Sequence, residues 1–221
     1  MTADRGHLLA ELYDAVVSAV RDRDEADLTR PTRTEWTVRE LVFHQLLDAQ
    51  RTLVAMASPT DRAADVDAVS YWRPFQPDAE WNAPHAQFVR VSASAYSSGS
   101  ALVEHFATIA GAAKRAVLAG NPAAQVKTQG HVLTVADLTS TLVVEATVHL
   151  LDLTVDLPAA PSPSAAALAE TRGVLEGLFG GPLPARWEDT EAVLKGTGRV
   201  PLDDADRIEL GARAGELPLL G

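Results

Sequence analysis

Residues 142–153 read Leu142-Val143-Val144-Glu145-Ala146-Thr147-Val148-His149-Leu150-Leu151-Asp152-Leu153, and this stretch decides the fold. Plotted at about 100° per residue, its aliphatic side chains cover nearly the whole circumference of a helix. A helix that is apolar on every side is normally buried among other elements. The stretch therefore predicts the central, buried helix of the protein, and its few polar side chains need a specific explanation.

Other segments of the chain also show the spacing of three and four that is typical of helices. They are His7 to about Val20, about Val38 to Met56, His85 to Ala119 with a break near Gly99, and Ser164 to Phe179. The central helix should begin after Thr134 and reach about Val155, because Thr134 and Asp137 have the spacing of a helix cap. Four long helices followed by a C-terminal part predict an all-α antiparallel bundle.

The connections between these helices differ in character. Ser58 to Pro84 carries several prolines together with Tyr71, Trp72, Phe75 and Trp81, which indicates a long irregular crossover with aromatic anchors. The segment from Val126 to Leu133, centred on Gly130, predicts either an irregular turn or a small hairpin. Prolines 158, 161 and 163 indicate a linker, so we divide the chain into a bundle over 1–157 and an extension over 158–221.

The composition excludes several classes of protein. The 221 residues include no cysteine, and 30 acidic against 19 basic side chains give a formal charge of -11. Without a thiol the chain has no disulfide framework, zinc ribbon or cysteine nucleophile. The negative charge repels phosphate backbones, so nucleic acid is not an expected partner. With no export signal and no apolar run long enough to span a bilayer, we expect an acidic cytoplasmic enzyme.

The polar residues of the central helix point to a metal. Glu145 and His149 are four residues apart and share one face, and Asp152 follows one turn later. A carboxylate in apolar surroundings requires a compensating positive group, which is an arginine, a protonated histidine or a metal ion. A Glu-x3-His pair presents two donors of the kind that zinc or iron(II) takes. The alternative is an internal Glu–His pair, or a polar seam to Arg51 or Arg90.

A third ligand would have to come from another helix. His44 lies in the middle of the second helix and is the candidate, although the pattern also allows it to face solvent, roughly opposite the apolar stripe of its helix. The remaining histidines lack a partner at ligand spacing and are interpreted as ordinary surface or partly buried residues, and the tryptophans are interpreted as packing anchors. They are His7, His85, His105 and His131, with Trp36, Trp72, Trp81 and Trp187.

Two motifs resemble a known family. The run Glu35-Trp36-Thr37-Val38-Arg39-Glu40-Leu41-Val42-Phe43-His44 resembles the Trp-Thr/Ser-Val-x-x-Leu-x-x-His signature of the mycothiol-dependent maleylpyruvate isomerase family, a branch of the DinB-like metalloenzyme bundles. Glu145-x3-His149-x2-Asp152 resembles the same family's fourth-helix motif. The resemblance implies that His44, Glu145 and His149 are metal ligands, with zinc as the expected ion, and that Asp152 is a catalytic residue near a thiol cosubstrate.

The resemblance also implies a fold and an activity. It covers about residues 1 to 157, which it makes a DinB-like four-helix bundle, and leaves 158–221 as a short helical or mixed extension packed on it. The family isomerase uses an arginine from a larger C-terminal domain, and Arg199 and Arg207 are the candidates here, with no motif to choose between them. The implied cosubstrate is mycothiol or a similar small thiol.

Three functional hypotheses follow. The first is a divalent-metal enzyme that uses a thiolate for isomerisation or sulfur transfer on a small electrophile. The second is a non-catalytic bundle that binds a metal or ligand in a structural or regulatory role. The third is a hydrolase that replaces the thiol by an activated water. The substrate, the metal and the oligomeric state are not predicted by the sequence.

Overall fold

The computed structural model of the chain describes residues 4–75, 82–155, 157 and 159–220. Its helices in these ranges are α1 (Arg5–Val20), α2 (Glu25–Leu28), α3 (Val38–Met56), α4 (Asn82–Ser94), α5 (Gly99–Ala119), α6 (Val135–Thr154), α7 (Ala165–Phe179), α8 (Asp189–Gly196) and α9 (Asp204–Leu210). Short 3-10 helices occupy Ser70–Trp72 and Gly211–Glu216. The predicted all-α class is confirmed.

The four long helices α1, α3, α5 and α6 form the bundle. Helix α3 packs against α5 and α6, and α1 packs against α5 and α6. Their facing side chains make one continuous apolar core, which includes Leu9, Leu41, Phe106 and Leu142. Nearly every turn of α6 is buried, so the prediction of a central buried helix is confirmed. Within the described ranges, no helix combines the length and apolar character needed to cross a membrane.

Both helices that carry predicted site residues begin at a side-chain cap. Thr37 accepts a hydrogen bond from the Glu40 amide, and the Glu40 carboxylate accepts one from the Thr37 amide at 2.8 Å, which completes a capping box at the start of α3. Thr134 caps α6 in a similar way through the amide of Asp137 at 3.0 Å. Because each cap sets where its helix starts, it also sets which face the later residues occupy.

The third helical segment is divided, as its glycine predicts. Helix α4 ends at Ser94, and α5 begins at Gly99 behind the capping residue Ser98. A β-carbon at Gly99 would collide with the Leu28 side chain, so a larger residue here would force Leu28 to shift. The break lets the segment change direction between the site and the bundle.

Strands β1 (Gln125–Thr128) and β2 (His131–Thr134) form an antiparallel hairpin, which decides between the two predicted forms of this segment. Gln129 and Gly130 make its tip, with positive φ angles of 46° and 85°. The crossover that follows α3 runs beside the hairpin, because the Thr60 amide donates to the Gln125 carbonyl at 3.0 Å. Tyr71 and Trp72 of that crossover are buried, whereas Trp81 lies outside the described residues.

The C-terminal part packs onto the bundle through α7, which contacts α6 and α1. It has a polar centre of its own: the Trp187 indole donates to buried Asp206 at 2.6 Å, and Lys195 pairs with the same carboxylate at 2.5 Å. The apolar residues of both parts belong to one core. The division at residue 158 stays a prediction, and Pro158 itself lies outside the described residues.

Replacing Thr37 by alanine should destabilise the protein by about 1 kcal/mol, because the cap of α3 loses its side-chain acceptor. The free energy of unfolding, measured by urea denaturation with chelator present, checks this. Thr108→Ala is the control, since Thr108 is exposed within α5 and its hydroxyl bonds only the Glu104 carbonyl. Equal stability of Thr37→Ala and the native protein would contradict the assigned cap.

Candidate metal centre

Helices α3 and α6 bring three of the predicted site residues together. His44 comes from α3, and Glu145 and His149 come from α6. Each offers one ligand atom, and these atoms all lie within 4.8 Å of one another. The Glu145 carboxylate oxygen Oε2 is 3.2 Å from His149 Nε2 and 3.6 Å from His44 Nε2. Two imidazole nitrogens and one carboxylate oxygen therefore converge between two neighbouring helices.

His44 does not face solvent, which was the alternative left open by its pattern. Its side chain is 13% exposed and lies inside the wall of a cavity. The ring packs beside Trp36, with 4.9 Å between the ring centroids. Trp36 thus helps to hold the ring toward α6.

The three donors fit a zinc-like ion. Donors at about 2.0–2.1 Å from a tetrahedral ion are separated by about 3.3 Å, close to the two Glu145 distances above. Two nitrogens and one oxygen are a donor set that catalytic zinc sites use, with a fourth position left for a small molecule. The arrangement could therefore hold a divalent cation with one side open.

Asp152 stands behind His149 and not in the cavity. It is completely buried, and the His149 Nδ1–H donates to its carboxylate at 3.1 Å. Arg199 of the C-terminal part donates to the same carboxylate oxygen at 3.1 Å. A carboxylate on the far nitrogen holds a histidine ring so that its other nitrogen can bind a metal. The catalytic role expected for Asp152 stays a prediction, while its contacts are those of a positioning residue.

The charges of the cluster depend on one another. Burial alone would lower the pKa of His149, but its hydrogen bonds to Asp152 and Glu145 outweigh burial and raise that pKa to about 9. Burial would raise the pKa of Glu145, yet hydrogen bonds from His149 and His44 hold it well below its usual range. With no ion bound, a protonated His149 would supply the positive charge that the half-buried Glu145 carboxylate requires.

The two arginines considered as partners of Glu145 pair elsewhere. Arg51 faces Asp48, with 3.3 Å between Nη2 and Oδ1, and Arg90 donates to Glu35 at 3.0 Å. The other open alternative, an internal Glu145–His149 pair, also agrees with the 3.2 Å contact between Glu145 Oε2 and His149 Nε2. Metal binding, and not the geometry of the pair, distinguishes the two interpretations.

Sequence analysis missed His85. Its Nε2 lies 3.3 Å from His44 Nδ1, so this α4 histidine touches the ring of a predicted ligand from behind. Burial and the neighbouring His44 both lower the pKa of His85. No sequence signal places α4 against α3 at this level, because the two residues are separated by the irregular crossover. The other three histidines each have a nearby partner, His7 with Asp4, His105 with Tyr96 and His131 with Asp65.

A cavity of about 1490 Å³ opens onto the three donors. Its apolar wall is formed by the segment before α3, the crossover, α4, α6 and the C-terminal end, through Trp36, Trp72, Phe75, Phe88, Val148 and Leu220. Arg62 and Lys127 add basic groups, and Arg199 connects the cavity to Asp152. The C-terminal part therefore helps to build the site, through Arg199, whereas Arg207 is exposed on α9.

A bundle whose two facing helices direct two histidines and one glutamate into a deep cavity defines a helical-bundle protein with a candidate metal centre. The family described as the mycothiol maleylpyruvate isomerase N-terminal domain matches residues 9–154. This match spans well over half of the chain, and the chain belongs to that family. Comparisons with curated proteins and with solved structures gave no significant match.

The raised pKa of His149 predicts a pH dependence of stability in chelator-treated protein. The folded-state pKa of about 9 exceeds the unfolded value of about 6.5, so this histidine stabilises the fold below pH 6.5. That contribution is lost as the pH rises from about 6.5 to about 9. Urea denaturation across this range should show the free energy of unfolding falling in native protein and the fall much reduced in His149→Gln. A flat native profile would contradict the assignment.

Proposed function

We propose that the protein is a divalent-metal enzyme, with zinc as the expected ion, that uses a mycothiol-like small thiol on a small electrophile. The observation that carries the proposal is the convergence of His44, Glu145 and His149 in the wall of a large cavity. A structural metal site is usually closed by four protein ligands, whereas a catalytic site keeps one position for a reactant. Membership in the mycothiol maleylpyruvate isomerase family also supports a thiol-using enzyme.

The thiol has to enter from outside, because the chain contains no cysteine. When bound, a divalent ion lowers the pKa of a coordinated thiol and so supplies a thiolate at neutral pH. Such a nucleophile can add to an activated double bond and leave again after rotation, which is isomerisation, or can displace a leaving group, which is sulfur transfer. We propose that the protein catalyses one of these two reactions in the cytoplasm.

The protein side of the mechanism consists of binding and orientation. His44 and His149 present their Nε2 atoms and Glu145 presents Oε2, so all three donors face the same point. Asp152 accepts a hydrogen bond from His149 Nδ1–H and so keeps that ring in place. Arg199 of the C-terminal part neutralises Asp152. Asp152 acts in this proposal as a positioning residue.

Protein purified without chelator should contain about one equivalent of a divalent metal by elemental analysis. His44→Ala should lose most of it, because two donors on one helix bind far more weakly than three. His131→Ala is the matched control, since His131 lines the same cavity but pairs with Asp65 on the hairpin side. A metal-free native protein, or full metal retention in His44→Ala, would remove the basis of the proposal.

Asp152→Asn should weaken metal binding by about 10- to 100-fold, because His149 loses the carboxylate that holds its ring. Competition with a chromophoric chelator measures this affinity. Arg186→Met is a suitable control, as Arg186 neutralises the buried Asp206 away from the cavity. Unchanged affinity in Asp152→Asn would assign Asp152 a role other than positioning.

The dependence on thiol separates the three functional hypotheses. With a panel of activated alkenes, esters and alkyl halides, turnover that requires added thiol supports the proposed enzyme. Turnover that persists without any thiol supports the metal-dependent hydrolase. Metal-loaded protein that is inactive on the panel, with a fourth protein ligand in its coordination sphere, would support a structural or regulatory bundle.

A further inference from the structure

A second carboxylate lies beside the candidate metal centre. Asp48 follows His44 by one turn of α3, and its Oδ2 is 3.7 Å from His44 Nε2, the proposed ligand atom. Asp48 is buried, and Oδ2 accepts no hydrogen bond within the described part of the chain. A buried carboxylate oxygen without a partner is costly, and a nearby cation would satisfy it. Asp48 is therefore a ready fourth ligand.

The other oxygen of Asp48 is held by Arg51. Its Oδ1 forms an ion pair with Arg51 Nη2 at 3.3 Å, one turn further along α3. Arg51 is itself almost completely buried, with a side chain 9% exposed. The arginine therefore competes with the candidate centre for the same carboxylate.

Two other segments hold Arg51 in place. Its Nη1 donates to the Tyr71 hydroxyl at 2.5 Å and to the Gln129 side-chain carbonyl at 3.0 Å. Tyr71 also donates to the same Gln129 oxygen, which closes a three-residue cluster. The crossover after α3 and the tip of the hairpin thus both accept hydrogen bonds from the Arg51 guanidinium. We call Arg51, Tyr71 and Gln129 the arginine clamp.

Gln129 has a backbone conformation that is unusual for a residue with a side chain. Its φ of 46° is in the left-handed region that favours glycine, and glycine follows immediately at position 130. A residue with a side chain at this position carries a conformational cost that a glycine would avoid. The compensation visible in the structure is its pair of hydrogen bonds to Arg51 and Tyr71.

We propose that the arginine clamp keeps Asp48 out of the metal's coordination sphere and thereby keeps the fourth position open for a reactant. The inference rests on the proposed metal centre. With Arg51 in place, three protein donors bind the ion and the site is of the open, catalytic kind. Without it, Asp48 is free to move its unpaired Oδ2 the remaining distance to the ion, joins the three donors and closes the site. The clamp is thus a positioning device, and none of its residues needs to touch the ion.

Arg51→Met tests the clamp in cobalt-loaded full-length protein. Loss of the guanidinium should strengthen cobalt binding at least tenfold, measured by chelator competition, and weaken binding of imidazole to the metal at least tenfold. Imidazole is a neutral probe of the open position at pH 8, so the change in cavity charge does not by itself affect it, and the cobalt absorption spectrum reports its binding. Removing the carboxylate as well, in Asp48→Ala/Arg51→Met, should restore native imidazole binding.

Two further variants make the test independent of folding problems in Arg51→Met. Tyr71→Phe/Gln129→Ala keeps the guanidinium but removes its holders, and should shift both affinities in the same direction by a smaller factor. Arg62→Met is the matched control, because Arg62 is a basic residue of the same cavity outside the clamp, and should change neither affinity.

The outcomes separate the inference from the proposal on which it rests. Native protein that binds no cobalt would remove the metal centre and the clamp's role with it. Native protein that binds cobalt and imidazole, with unchanged imidazole binding in Arg51→Met and in the Tyr71→Phe/Gln129→Ala variant, would overturn the clamp alone. Weaker imidazole binding in Arg51→Met that persists in the double variant with Asp48→Ala would also overturn it, because Asp48 would then not be the closing ligand.

Discussion

The half-buried Glu145 carboxylate, whose side chain is 21% exposed, is the constraint on which the site depends. A charged oxygen among the apolar side chains of α6 destabilises the fold unless a positive partner stands beside it. The structure provides two imidazoles, one from the same helix and one from α3, within 3.2 and 3.6 Å of that oxygen. The geometry that places two imidazoles beside the charged oxygen also creates a set of ligand atoms. The Glu145 carboxylate can therefore be stabilised either by a protonated histidine or by a bound cation.

Further polar residues contact the three donors on two sides of the candidate metal centre. Behind His149, Asp152 and Arg199 connect the centre to the C-terminal part, which would otherwise look like an appendage. Behind His44 stands His85 of α4, and beside the Nε2 atom of His44 lies Asp48 of α3, which pairs with Arg51. The polar residues around the cavity form a connected set that draws on the crossover, the hairpin and the C-terminal part. A site made from so many segments requires the whole chain to be folded before it can bind.

The parts that sequence analysis predicted well are those governed by local periodicity and caps. The near-complete apolar surface of 142–153 predicted a buried helix, Thr37 with Glu40 predicted the start of α3, and Gly99 marked a real division. The sequence does not decide the conformation of the irregular segments. For residues 126–133 it predicts either an irregular turn or a hairpin, and the structure shows the hairpin. The pairing of β1 with the crossover depends on contacts between distant residues, which no local pattern encodes.

Chain order alone placed Glu145 and His149 on one face, since residues four apart on a helix must be neighbours. Packing decided everything that links different segments. It turned His44 inward from a face that also carries charged residues, brought His85 to its far nitrogen, and set Asp152 behind His149 where Arg199 reaches it. Helical periodicity acts over a few residues, whereas the distance between two helices depends on how all their side chains fit together, and that fit exists only in the folded molecule.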